Sequence, residues 1–155
     1  IRMTTFTKWF LLNAVMATAA FLVEQKGWIT LVIENDASYI SIVIMALYVI
    51  VSGHIGRLCY LADRATKGRH RDDIVKRMDI GWFAGEHFFS LGLLGTLIGL
   101  TIATSTSLTE EAQVSQIVTG LKNGLNTAFF TTICGIVFSL PLQIQLMILK
   151  QELDQ

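Results

Sequence analysis

Proline occurs once in this 155-residue chain, at Pro141, and cysteine only at Cys59 and Cys134. The scarcity of proline excludes a Pro-rich linker. No low-complexity tract or repeat of solenoid length divides the sequence, so one domain is expected over 1–155. Two cysteines are too few for a disulfide framework, and each is expected to serve as a small buried apolar residue. Charge is scarce too: 15% of residues against 52% hydrophobic, with a mean hydropathy of +0.55. His54, His70 and His87 do not fall at metal-ligand spacing, so no metal site is expected. No serine or threonine has a partner base and an orienting group, which argues against an enzyme, and nothing in the sequence asks for a cofactor.

What the chain does have is long apolar runs. A membrane span needs roughly 20 apolar residues at about 1.5 Å each, and four segments meet or approach that length: about 6–23, 39–56, 82–103 and 120–149. The expected fold is therefore an all-α polytopic membrane protein with four transmembrane helices, in a lipid bilayer. The first run is the shortest. A secretory signal peptide is one alternative for it, and an amphipathic helix lying in the interface is another, which would leave three spans.

Orientation follows from the basic residues. Arg57, Arg64, Lys67, Arg69, Arg71, Lys76 and Arg77 crowd the segment 57–79, read as a short basic loop on the cytoplasmic side. The segment 104–116 carries Glu110 and Glu111 and no Lys or Arg. With Arg2, Lys8 and Lys150 inside and Lys26 alone outside, both termini are expected in the cytoplasm. The basic segment could meet anionic lipid, but span ends pin it to the membrane, so no nucleic-acid partner is expected. The helical pattern is still running at Gln151-Glu-Leu-Asp-Gln155, which leaves room for a longer protein.

The last two spans carry an unusual pattern of small residues and hydroxyls. On a helix, residues three and four apart share a face. Gly92, Thr96, Gly99 and Ala103 form one stripe, with Gly95 beside it; Gly124, Ala128, Thr132, Gly135 and Ser139 form the other. Such stripes let backbones approach closely. The plain alternative is that they are helix-packing faces and nothing more. The hydroxyls of Thr96, Thr131 and Thr132 could bond back to their own helix carbonyls or meet water or an ion. No Asp, Glu, Lys or Arg lies deep in any span, yet intramembrane proton relay needs a titratable group at depth. The chain cannot complete a proton path alone, so a partner would have to bring the carboxylate. Two helices of this kind suggest a pore wall, with Thr96, Thr131, Thr132 and Ser139 along the ion pathway. Pro141 has no N–H for the carbonyl of Val137, so the fourth helix is expected to bend there and widen an inner exit between Ser139 and Gln143. Glu86 and His87 stand near the inner interface, where the pair could gate protons or simply be solvated.

Gly92-Leu-Leu-Gly-Thr-Leu-Ile-Gly99, followed by Ala128-Phe-Phe-Thr-Thr-Ile-Cys-Gly-Ile-Val-Phe-Ser-Leu-Pro141, resembles the paired pore-helix motifs of the MotA/TolQ/ExbB proton-channel family over about 82–149. The resemblance implies the pore-forming subunit of a proton- or sodium-driven motor in the bacterial inner membrane. It further implies a pentamer around a dimer of a single-span partner of the MotB/TolR/ExbD type, whose transmembrane Asp titrates. Thr96 and Thr132 match the family's pore-lining threonines, with Thr131 beside them. The transported ion would be H+ or Na+, with protons the family's usual choice.

Two departures stand out. Thr127 takes a position where ExbB and TolQ usually carry Glu, which would leave the outer mouth neutral. The segment 57–79 is also far shorter than the inner domain with which flagellar stators grip a rotor. A TolQ/ExbB-like energiser or a Zorya ZorA-like anti-phage motor is the better fit, and Leu146-x-x-Leu149-x-x-x-Leu153 would suit the start of the latter's cytoplasmic tail. A non-conducting membrane scaffold assembled around a partner helix is the competing reading.

Overall fold

The structure, a computed structural model, describes residues 4–64, 69–107 and 113–154. Arg2, Lys67, Glu110 and Glu111, which carry part of the charge argument, lie outside the described residues, as do the side chains of Arg69 and His70. The described chain is all helical: α1 Thr5–Glu24, α2 Trp28–Asn35, α3 Ile40–Arg64, α4 Arg69–Ser107 and α5 Val114–Leu153. α1, α3, α4 and α5 are each long and apolar enough to cross a membrane. α1 is apolar around its whole circumference and uncharged between Lys8 and Glu24. That is the pattern of a spanning helix and lacks the polar face an interfacial helix needs.

Two boundaries differ from expectation. The described part of the basic segment 57–79 is helical, because α3 continues through Arg64 and α4 already starts at Arg69. Along α4 the inward positions Ile74, Met78, Gly81, Gly85 and Phe88 recur at helical spacing and are buried, while the charged residues between them are exposed. The charge density therefore marks the wet face of an amphipathic helix extension. The second difference is α2, a helix of 8 residues split from α1 by Gly27, whose φ of 70° is a left-handed conformation open to glycine at little cost.

α4 and α5, at 39 and 40 residues, reach about 60 Å, twice a hydrocarbon core of about 30 Å. They run antiparallel. Gly99 lies against Gly124, Gly92 against Gly135, and Gly81 against Leu146. α3 completes the core, with Ile44, Ile55 and Leu58 packing on Met78 and Phe88 of α4 and on Leu142, Leu146 and Leu149 of α5. Leu146 and Leu149 are thus used inside the bundle and do not form an exposed start to a tail. Cys59 and Cys134 are both buried and free, as expected of small apolar fillers.

One end of the bundle is closed by charged caps. The Asp63 carboxylate accepts from Thr5 N at 2.9 Å and Phe6 N at 2.8 Å, capping α1. Arg71 donates to the carbonyls of Glu152 and Leu153, capping α5. A cation at a helix C-terminus and an anion at an N-terminus both complement the backbone dipole. Lys8 and Glu152 approach to 3.9 Å at the same end. The first and last described residues therefore share one side of the bundle.

Candidate functional site

Glu86 and Lys122 bound the uncharged zone between α4 and α5. Each is ten residues from a threonine, Thr96 and Thr132 respectively, which is about 15 Å on a helix. The two threonines thus sit midway through an uncharged slab about 30 Å thick, the dimension of a bilayer core.

Glycine brings them together. A Cβ on Gly99 would sit 2.5 Å from the carbonyl oxygen of Gly124 and 2.6 Å from Ala128 N; a Cβ on Gly135 would sit 2.8 Å from Phe88 O. A Cβ on Gly124 would run into Gly99 O, and one on Gly92 would come 2.9 Å from Thr131 O. The obstacles are backbone atoms, which cannot rotate away. Gly92, Gly99, Gly124, Ala128 and Gly135 therefore join α4 to α5 within one chain. The stripes are spent on this contact inside the chain and supply no reason for one subunit to bind another.

At this contact the Thr96 and Thr132 hydroxyls meet in a short hydrogen bond. Thr96 Oγ1 is also 3.2 Å from both Gly92 O and Ala128 O, and Thr132 Oγ1 is 3.0 Å from Ala128 O. Each hydroxyl has one proton to give, so either threonine can be the donor between them while the other bonds back to a carbonyl. The pair can carry its protons in two orders without moving a heavy atom. Both side chains are half-buried, open on one side of the helix pair.

Thr131 and Ser139 are placed differently from expectation. Thr131 is fully buried and inserts against Gly95, bonding to Thr127 O at 2.8 Å. Neighbours in sequence point about 100° apart on a helix, so Thr131 and Thr132 cannot share a face. Ser139 is buried and donates to Gly85 O at 2.7 Å, while Gln143 Nε2 donates to Ser139 Oγ at 3.2 Å. Ser139 is a clamp between α4 and α5. Pro141 is buried inside α5, which remains helical from Val114 to Leu153.

The fold places Thr127, expected at an outer mouth, and brings out two polar groups that the sequence analysis does not name, Asp36 and a buried network. Thr127, fully buried, accepts from Ala37 N at 3.1 Å and reaches Asn35 O at 3.3 Å, tying the α2–α3 turn to α5. The position does not face an outer mouth. Beside it Asp36, 2% exposed, accepts from Ser38 N, Ser38 Oγ and Ser41 N at 3.0, 2.6 and 2.8 Å. It caps α3 and holds Tyr39 in a left-handed conformation, φ 57°, uncommon for a bulky residue. The signal was Asp-x-Ser ahead of an apolar run, a capping pattern. The other is a buried network: Ser52 Oγ lies 2.9 Å from Asn13 Oδ1 and 3.0 Å from Gln145 Oε1, and Gln145 Nε2 lies 3.3 Å from the Tyr48 hydroxyl. It ties α1, α3 and α5 together at depth.

The hydroxyl pair faces away from α3. Thr132, Ile136, Leu140 and Gln143 follow one side of α5, opposite the side whose Cys134, Leu142 and Gln145 face α3. Below the pair on that side, Glu86 and Phe89 of α4 and Ile136, Leu140 and Gln143 of α5 line an open cavity of about 480 Å³. His87 does not join them; its ring stacks on Phe83 at 3.8 Å and its Nδ1 meets Phe83 O at 2.7 Å.

No curated protein and no solved structure matches this sequence. Residues 68–155, which hold both glycine-stapled helices and the threonine pair, match the family described as the MotA/TolQ/ExbB proton channel family. That match spans more than half of the chain. With the paired glycine helices, the mid-depth hydroxyls and the family match in agreement, the chain belongs to the MotA/TolQ/ExbB proton channel family.

Proposed function

We propose that this chain is the pore-forming subunit of an ion-driven motor in the inner membrane, coupling the ion-motive force to mechanical work. The observation that carries the reading is the Thr96–Thr132 pair, two hydroxyls held at mid-depth by backbone-tight packing and open on the face away from α3. Helix packing alone could use such hydroxyls as interhelical glue; what favours a pathway is that the pair is left open on that face. One chain cannot enclose a lumen, so several copies, five by family resemblance, would turn this face inward. With no carboxylate at that depth, the titrating Asp belongs to a partner, a dimer of single-span chains of the MotB/TolR/ExbD type. The transported ion is H+ or Na+, with protons the family's usual choice; both termini are cytoplasmic, and the ion passes Thr96 and Thr132, with Thr131 and Ser139 keeping the wall in shape.

The test uses cells carrying the gene with its genomic neighbours. Thr96→Val and Thr132→Val replace a hydroxyl by a methyl at nearly constant volume. Both should leave the assembled complex intact and cut ion uptake at least tenfold. Full uptake in both variants would leave the scaffold reading in possession.

A further inference from the structure

The cavity below the threonine pair contains one ionisable side chain, Glu86. Glu86 is exposed and makes no hydrogen bond or ion pair with another described residue. The other polar side chains of the cavity are engaged: Ser139 donates to Gly85 O, and Gln143 donates to Ser139. The remaining wall is apolar, Phe89, Ile136 and Leu140. His87, the neighbouring titratable group, is turned back onto its own helix. The opposing stretch of α5 is uncharged from Asn123 to Leu149, so no described cation of α5 stands at this level to neutralise the carboxylate.

We infer that Glu86 is the cation-selecting carboxylate of the inner mouth. This rests on the proposal that the Thr96–Thr132 face lines the ion pathway. In a ring of copies, each would turn one Glu86 toward the lumen about 15 Å below the threonines. A ring of carboxylates over low-dielectric walls concentrates cations and repels anions. The apolar lining sharpens the effect, because little else in the cavity screens the charge. The expected exit between Ser139 and Gln143 is thereby moved across the cavity, since Ser139 is spent on Gly85 O of α4 and Gln143 donates back to Ser139 within α5.

The experiment measures ion uptake in cells carrying the gene with its genomic neighbours, with the amount of assembled complex determined in parallel. Glu86→Gln should lower uptake by about tenfold at unchanged assembly, and Glu86→Asp should keep most of it. Gln143 lines the opposite wall of the same cavity. Glu86→Gln combined with Gln143→Glu should therefore recover uptake, a rescue that repair of folding at position 86 would not produce. If Thr96→Val stops uptake while Glu86→Gln leaves it unchanged, the Glu86 assignment is wrong and the pore reading stands. If neither variant changes uptake, both are wrong. A Glu86→Gln loss that Gln143→Glu does not rescue also overturns the assignment, because the cavity then needs something other than a carboxylate.

Discussion

α4 and α5 meet backbone to backbone, whereas α1 meets the rest of the bundle through side chains. In the first contact, glycines set carbonyls of one helix where a Cβ of the other would stand. In the second, the Trp9 ring lies over Gly56 and its Nε1 donates to Ser52 O at 3.1 Å, Asn13 joins the Ser52–Gln145 network, and Asp63 caps the α1 N-terminus. Beyond Asn13, α1 stands largely alone, with Val15, Phe21, Leu22 and Val23 all exposed. The difference separates two ways of joining helices where lipid supplies no hydrophobic drive between them. Backbone contact fixes position to a fraction of an ångström and tolerates no added atom. Side-chain contact holds a helix in place and can be weakened step by step.

The sharpest way to break the comparison is to add atoms at the backbone contact. Gly99→Leu should drive α4 from α5 and cost more than the about 1–3 kcal/mol of ordinary overpacking, because the obstacles are Gly124 O and Ala128 N. Loss of folded protein in mild detergent, followed by thermal unfolding, checks it. A variant as stable as the parent would mean the helices are not in register as described.

Asp36→Ala comes next. It removes a buried carboxylate that accepts three hydrogen bonds at the start of α3, and capping losses run to about 0.5–2 kcal/mol. Since Thr127 anchors the same turn to α5, Asp36→Ala combined with Thr127→Val should cost less than the sum of the two if they act as one unit. A strictly additive pair would separate them.

In the side-chain half, Gln145→Leu should cost about 1 kcal/mol, in the range of intramembrane polar contacts. Unlike a change in the glycine staple, it should leave the α4–α5 distance unaltered. A double-mutant cycle with Asn13→Leu measures the coupling, and zero coupling would mean that the network does not hold α1. The smallest effect belongs to Gly53→Ala. A Cβ there meets nothing within 4 Å, and alanine is the better helix former, so stability should hold or rise by up to about 1 kcal/mol.

How far the sequence revealed these features depends on their range. The glycine stripes, with Thr96 on one and Thr132 on the other, are legible because helical periodicity fixes which residues share a face, and long apolar runs make the spans plain; that the two hydroxyls meet is a matter of how the helices pair. Thr131 was grouped with Thr132 on composition although the helical rotation separates them; the period held the answer. The density of charge in segment 57–79 masks the helical series that starts at Ile74 and Met78 and runs on through Gly81 and Gly85. The network joining Asn13, Ser52 and Gln145 was beyond reach, since nothing local says that residues 93 and 39 positions apart along the chain will meet. That the glycine stripes close within one chain and not between copies is likewise a fact of tertiary pairing.

The central claim is that the face carrying Thr96 and Thr132 meets water inside the membrane. The most direct measurement is thiol accessibility in the assembled complex, where Cys59 and Cys134 are buried and should give little background. Ile136→Cys, on the cavity wall, should react with a small, membrane-impermeant cationic thiol reagent. Val49→Cys, 69% exposed on the outer side of α3, should not, because lipid covers it. Reaction at Val49 and silence at Ile136 would contradict the account, placing the threonine face in lipid or in a dry interface.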